Sequence, residues 1–311
     1  VILDELLITD NRTRAIELAK EAQEIIWYQC PMIGLYMNKI ISAFRTDRFV
    51  NVYTDSGKGA FQYWAKSLIR LNDSQNGPMG GILRVNLPTD IDTLNYMTTS
   101  SGYTFDIMEM TYEGLLQYDP YTEKLIGQLA YDWNSTTTPE NTTVMYFKMH
   151  ENVTWHDGTK FNASDVVFTF EYLDEMAPAH TWVANMGNFL SIEAIDEFTV
   201  KIISNTTSVF DLAGIGGTAI FPKHMWEDVN ASAFGSYEPV WAVGTGPYNL
   251  TAWVPGEYVQ QDFYFDYYNR PVGHDAPAVV PGIDPTLLLV AGVAVAAVVV
   301  VAGYFLLRKK P

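Results

Sequence analysis

Apolar and polar positions recur along this chain with two periods. Met145, Phe147 and Met149 alternate with Val144, Tyr146 and Lys148, and Val200 and Ile202 continue the two-residue rhythm of half-buried strands. Ile82 to Leu87 alternates in the same way, and Met32 to Met37 is an apolar run suited to a buried strand. Thr13 to Gln29 instead carries Ala15, Leu18, Ala22 and Ile25 on one helical face. Glu17, Lys20, Glu21 and Glu24 lie largely off that face, and Pro31 stops the helix. Further helices are predicted over Phe105 to Leu116, Asp165 to Glu175 and around Pro222 to Val229. Strands interspersed with helices, without strict βαβ spacing, predict an α/β (mixed α+β) fold.

The stretch Trp155 to Phe170, WHDGTKFNASDVVFTF, organises the middle of the chain. His156, Asp157 and Gly158 predict a tight turn, since Asp supplies a side-chain acceptor and Gly accepts positive φ. Asn162 stands at a helix N-cap position with Asp165 three residues on, a variant of the capping box. Val166, Val167, Phe170 and Leu173 then lie on one face.

Composition narrows the function. With 19 basic and 36 acidic residues the net charge is −17, which repels nucleic acid and anionic lipid and excludes nucleic-acid binding. Aromatics make up 14%, including 19 Tyr and 8 Trp, residues that fill cores and also form amphipathic binding surfaces. The lone Cys30 excludes an internal disulfide framework and a thiolate metal cluster. Nine Asn-x-Ser/Thr sequons, at Asn11, Asn72, Asn134, Asn141, Asn152, Asn162, Asn205, Asn230 and Asn249, suggest a glycosylated outer surface; chance would give roughly two.

No catalytic constellation emerges. His150, His156, His180, His224 and His274 lack zinc-site spacing, although His150 and His156 flank one strand end and are close enough to meet. There is no G-x-S-x-G elbow. Gly57-Lys58-Gly59 lacks P-loop spacing, and Gly244-Thr245-Gly246 is followed by Pro247 rather than a dinucleotide-binding helix. Asp90 and Asp92 read as acid/base material or, more simply, as a loop after a strand. The chain is not expected to be an enzyme, and no cofactor or metal is expected.

Three segments together resemble a known family. WHDGTKFNASDVV is similar to the "W-x-DGTP-x-TA-x-DV" segment of the family 5 extracellular solute-binding proteins, the dipeptide, oligopeptide and nickel receptors of ABC importers. YEGLLQYD, Tyr112 to Asp119, resembles the preceding "YEGL-x-x-YD", with Leu129, Ala130 and Trp133 after it. GTGPY, Gly244 to Tyr248, resembles the family's own GTGPY, continued by Trp253, Pro255 and Gly256. The resemblance implies lobe I of a type II periplasmic-binding-protein-like fold, a peptide or other small solute as ligand, and ABC permease subunits as partners. It places the loop Asp90 to Leu94, the segment Pro178 to Trp182 and the turn Thr245 to Tyr248 along a ligand cleft. The implied ligand-binding residues are Asp90, Asp92, Thr93, Trp182, Thr245 and Tyr248; core aromatics and a shaped turn are the plainer reading of the same positions.

The order of segments departs from the family. EAQEIIWYQCPMIGLY, Glu21 to Tyr36, resembles the end of a family 5 chain, whereas Asp90 to Leu94 resembles its beginning. Residues 1–76 thus read as a tail-type segment, 77–81 as a Gly/Pro-rich linker and 82–270 as a head-type lobe I, with the second lobe absent. Residues 1–76 either complete lobe I or belong to an upstream unit.

Residues 271–286 form a Pro/Gly linker, and Leu287 to Leu307 is uncharged and about 31 Å long as a helix, enough to span a bilayer. Arg308, Lys309 and Lys310 in the tail 308–311 then predict a single-pass membrane protein with its N-terminal domain outside. Anchor and sequons together have an archaeal texture. A glycosylated surface protein that kept one lobe and lost transport is the competing expectation.

Overall fold

A computed structural model describes residues 2–29, 43–54, 63–72, 80–176, 189–237, 239 and 241–269. The strand expected over 32–37, Cys30, Trp182, His180, His274 and the apolar segment 287–307 lie outside the described residues. Among the described residues no helix is long and apolar enough to cross a membrane.

The fold centres on a four-stranded antiparallel sheet. Its strands are β5 (Ala130–Thr137), β6 (Thr143–Met149), β7 (Phe189–Asp196) and β8 (Thr199–Ser204), in the order β5-β6-β8-β7. In β6 the alternating residues Met145, Phe147 and Met149 are fully buried while Tyr146 and Lys148 face solvent, and Val200 and Ile202 of β8 bury beside them. The predicted two-residue period therefore falls in register across both strands, Met145 opposite Ile202 and Phe147 opposite Val200.

Helix α5 (Ala163–Met176) joins two cores. Val166 and Phe170 lie on the sheet with Trp155 and Phe161, while Tyr172, Leu173 and Met176 enter a second cluster with Met108, Tyr112, Trp226 and Phe234. Its start is built as the sequence predicts. Gly158 takes φ of +86°, and its N–H donates to the Trp155 carbonyl. Asn162 Oδ1 accepts from the Ser164 N–H, and the Asn162 N–H donates back to Asp165 Oδ2 at 3.1 Å. Asp165 also accepts from the Trp155 indole and from the Lys223 N–H, which opens the one-turn helix α7 (Lys223–Trp226).

Three two-stranded antiparallel pairs accompany the sheet among the described residues. They are β1 (Phe49–Val50) with β2 (Arg70–Leu71), β3 (Leu116–Tyr118) with β4 (Leu125–Gly127), and β9 (Tyr248–Val254) with β10 (Tyr258–Phe263). The early part of the chain docks against the later part. Helices α1 (Ile2–Ile8) and α2 (Arg12–Gln29) are fixed where Thr9 O accepts from the Val209 N–H and Ile8 O from the Thr207 hydroxyl. Helix α3 (Tyr63–Leu68) is held by the Trp64 indole on Tyr118 O and by the Lys66 ammonium, which donates to Asp106 O and pairs with Glu109 at 3.3 Å.

Three expectations change. The helix predicted over Phe105 to Leu116 is α4 (Gly102–Met108); beyond it the chain turns at Glu109–Thr111 and passes Gly114 against the Gly216 backbone, where a Cβ would meet Gly216 O at 2.8 Å. Ile82 to Leu87 forms no ladder: Gly80 and Gly81 at positive φ and Pro88 bracket it, and alternation alone provides no partner strand. The helix expected around Pro222 to Val229 shrinks to α7.

Three of the nine sequons have a structural explanation. Asn11, Asn162 and Asn230 each accept backbone N–H groups at a helix start, so Asn-x-Ser/Thr there is also an N-cap sequence.

Replacing Asp165 by Ala leaves the Trp155 indole and the Asn162 and Lys223 N–H groups without their acceptor inside the protein. Asp165→Ala is expected to lower stability by about 3 kcal/mol in urea unfolding, with an unchanged m-value. A loss below about 1 kcal/mol would show that the cap is not central.

Candidate functional site

The three sequence motifs meet at one point. Gly246 N–H donates to Thr111 O at 2.9 Å and Tyr248 N–H to Met110 O at 3.2 Å, which lays the GTGPY turn along the residues leading into YEGL. This approach leaves no room for a side chain: a Cβ at Gly244 would stand 1.9 Å from Thr111 O, and one at Gly246 2.4 Å from Met110 O. The third motif closes the group through His156. Its N–H donates to Gly244 O, its Nε2 donates to Gly246 O at 2.8 Å, and its Nδ1 accepts from the Gly244 N–H. The ring is therefore the neutral Nε2–H tautomer, and burial pushes its pKa down against the pull of the Gly246 carbonyl.

Below this turn lies Glu113, which is 1% exposed. Its Oε1 accepts from the Tyr267 hydroxyl at 2.8 Å and the Tyr268 hydroxyl at 3.3 Å. Its Oε2 and the neighbouring Thr245 Oγ1 are both buried without a well-formed hydrogen bond. Burial raises the carboxyl to about 7, opposed by Tyr267, Thr245, Tyr268 and Gln128. The Tyr63 hydroxyl of α3 feels the same charge, so residues of four separate chain segments share this carboxyl.

The residues named as ligand-binding divide between two places. Asp90 accepts from Gly256 N–H at 2.6 Å, from Ile91 N–H and from the Trp253 indole, and these donors, Gly256 first, hold its carboxyl below the usual range. Asp92 accepts from the Thr99 and Thr104 hydroxyls at 2.6 and 2.7 Å. Burial pulls its carboxyl up, and those hydroxyls outweigh it. Thr93 is buried, its hydroxyl accepting from the Asn95 N–H. At the other place, Thr245 sits at Glu113 and Tyr248 packs edge-on to Phe263. Tyr248 begins β9 and Trp253, which holds Asp90, stands five residues along it, roughly 16 Å at 3.3 Å per residue. The two groups thus stand at opposite ends of β9.

His150 and His156 do not meet. His150 lies between Tyr131 and Tyr268, and His156 rests against Tyr264. Among the described residues no cluster of His, Cys, Asp and Glu is arranged to hold a metal. Sequence reasoning missed Glu113, whose burial no local pattern reveals, and the pair His224–Asp157 at 2.7 Å, whose members are 67 positions apart.

Residues 124–280 match the family described as bacterial extracellular solute-binding proteins, family 5 middle, which is half of the chain. The chain belongs to this family. A putative ABC transporter peptide-binding protein of Brucella ovis is 27% identical over 178 residues, 56% of this chain and 32% of that protein. A probable ABC transporter periplasmic-binding protein, SapA of Escherichia coli, is 28% identical over 198 residues, 57% of this chain and 36% of that one. The chain spans about a third of the length of these relatives. In structure it is similar to the oligopeptide-binding protein AppA of Bacillus subtilis in complex with a nonapeptide, with a TM-score of 0.51 at 21% identity, over 58% of this chain and 36% of that one. DppA of Helicobacter pylori, in complex with the peptide STSA, gives 0.50 at 23% identity, over 58% and 39%. These neighbours support the mixed α/β periplasmic-binding-protein-like fold.

The buried carboxyl predicts a pH dependence. Glu113 holds its proton more tightly folded than unfolded, so folded chains carry more protons between about 4.5 and about 7. Its contribution is most favourable below that window and declines as pH rises through it, by up to about 3 kcal/mol. His156, with a lowered pKa, acts oppositely, costing stability as pH falls below its ordinary value. The difference between wild type and Glu113→Gln isolates the carboxyl. It should shift against wild type across the window in urea-unfolding curves taken at pH 4.5, 6 and 7.5, and parallel curves would refute the assignment.

Proposed function

We propose that the chain is the binding component of an ABC importer for peptides or a related small solute, displayed outside the cell and held to the membrane by residues 287–307. The observation that carries this reading is the junction of the three family motifs at Met110–Thr111, Gly244–Gly246 and His156, together with the family match. Relatives named as peptide-binding proteins of ABC transporters support the substrate class. In this reading residues 1–76 complete lobe I, supported by the docking of α3 on Tyr118, Asp106 and Glu109.

The engaged state of the acidic residues says how a ligand would be held. Asp90 and Asp92 are occupied by donors of the protein itself, so they shape the loop Asp90 to Leu94 rather than capture a charged amino group. We place the ligand contacts of this lobe on backbone groups of that loop and on the aromatic Trp182 and Tyr248; Thr93, buried with its hydroxyl on Asn95, shapes the loop as well. Such contacts read the shape and main chain of a peptide more than its charge.

One observation favours the second reading, a glycosylated surface protein without transport. Asn134, Asn141, Asn152 and Asn205 are exposed and serve no helix cap.

Isothermal titration of the full chain in lipid nanodiscs against a pool of short peptides tests the first reading. Saturable heat with a micromolar dissociation constant, weakened at least tenfold in Tyr248→Ala, is the expected result. No heat from protein with an intact unfolding transition would remove the transport reading and leave the surface one.

A further inference from the structure

A groove of about 370 Å³ opens between residues 43–52, α3 with Ile69 after it, and the unpaired stretch 82–85. It shares no residue with Asp90–Leu94 or with the Thr245–Tyr248 turn. Its walls are mixed, with Phe44, Phe49, Val52, Ile69 and Ile82 supplying the apolar part. Phe44 and Ile82 remain 44% and 54% exposed, so the wall is left open to water.

Four cations border this groove in a chain of net charge −17: Arg45, Arg48, Lys66 and Arg84. Two are neutralised, Arg45 by Asp47 at 2.5 Å and Lys66 by Glu109. Arg48 stands over the Phe49 ring, 5.5 Å from its centre, and its Nε is buried without an acceptor among the described residues. A buried guanidinium N–H with nothing to donate to is costly, and a water or an ion is one of its usual partners. Arg84 stands on the facing stretch and makes no ion pair among the described residues.

We propose that this groove binds a small carboxylate with an apolar body, the carboxylate on Arg48 and Arg84 and the body against Phe44, Phe49 and Ile82. The guanidinium fork matches the two oxygens of a carboxylate, which a single neutral acceptor does not. The volume lies in the range of small-ligand pockets and suits one aromatic or branched amino-acid residue. Two sources supply this chemistry, the C-terminal residue of a peptide and a free acid, and both present the same group. The site is independent of the cleft discussed above, since it uses cations of the early segment rather than the GTGPY turn.

The full chain is titrated with N-acetylphenylalanine and with N-acetylphenylalaninamide. The acid is expected to bind at least tenfold tighter than the amide. Arg48→Ala should remove that preference, Arg84→Ala should reduce it, and Arg48→Lys should retain part of it because charge survives and the fork does not. Gly-Gly-Phe and its amide distinguish the sources: a tripeptide acid bound more tightly than N-acetylphenylalanine assigns the groove to peptide ends, and the reverse to free acids. Equal affinity for acid and amide overturns the proposal. So does full preference in an Arg48→Ala protein whose unfolding curve matches wild type. Peptide capture by the cleft is separable, because it should survive Arg48→Ala and fall in Tyr248→Ala.

Discussion

The architecture depends on a backbone contact that tolerates no side chain. Met110 and Thr111 present carbonyl oxygens to Gly246 and Tyr248, and the strand-to-turn distance is so short that any Cβ at Gly244 or Gly246 would overlap a carbonyl. Each hydrogen bond there contributes only about 1 kcal/mol net, but the position of the chain is set by the exclusion rather than the bonds. Once the turn is seated, His156 can reach both Gly244 and Gly246, and that fixes the start of the Trp155–Phe161 segment and hence α5. Glu113, three residues past Met110, is then carried inward beneath the turn, where phenols rather than cations must satisfy it. The raised carboxyl follows from this placement: the backbone path that docks the motifs also removes Glu113 from water.

A second constraint sits at Asp165 and works in the opposite sense. It has three donors from the protein where Glu113 has two phenols, and it links a helix cap, an indole and the next helix. Burial still raises its carboxyl, with the Asn162 and Lys223 N–H groups opposing. Asp165 fixes the start of α5, and from there the buried face of the helix divides between two cores.

Legibility followed the range of the interaction. The alternation of β6 and β8, the turn at Asp157–Gly158 and the capping box at Asn162–Asp165 depend on neighbours within a few positions, and each stands where the pattern places it. The stripe Val166, Phe170 and Leu173 was equally readable, although its division between two cores was not. What failed depended on distant partners. Ile82 to Leu87 has a strand's alternation and no strand to pair with. Phe105 to Leu116 has helical spacing, but Gly114 is needed against Gly216, a hundred positions away. Asp90 and Asp92 read as acid/base material or, more simply, as a loop after a strand; their donors Gly256, Trp253, Thr99 and Thr104 are assembled only by folding. Family resemblance supplied the order of the motifs, and the structure shows why the order matters physically: the motif residues hold one another.

This changes what the motif residues can be said to do. Glycines that exclude a Cβ, a histidine tied to two backbone groups and an aspartate saturated by internal donors have no capacity left for a ligand. Residues of this kind specify where the lobe's loops stand, and among the signature positions the Tyr248 side chain, whose backbone N–H docks on Met110, is left to face outward contacts in the proposed reading. The strongly acidic surface adds a second consequence. Anionic ligands meet a repulsive field everywhere except where cations gather, so any carboxylate site must be local and built from side chains whose charge is not already spent on the protein's own acids. Around the groove at Arg48 that condition is met by two guanidinium groups, one of them with a buried N–H that has no acceptor among the described residues.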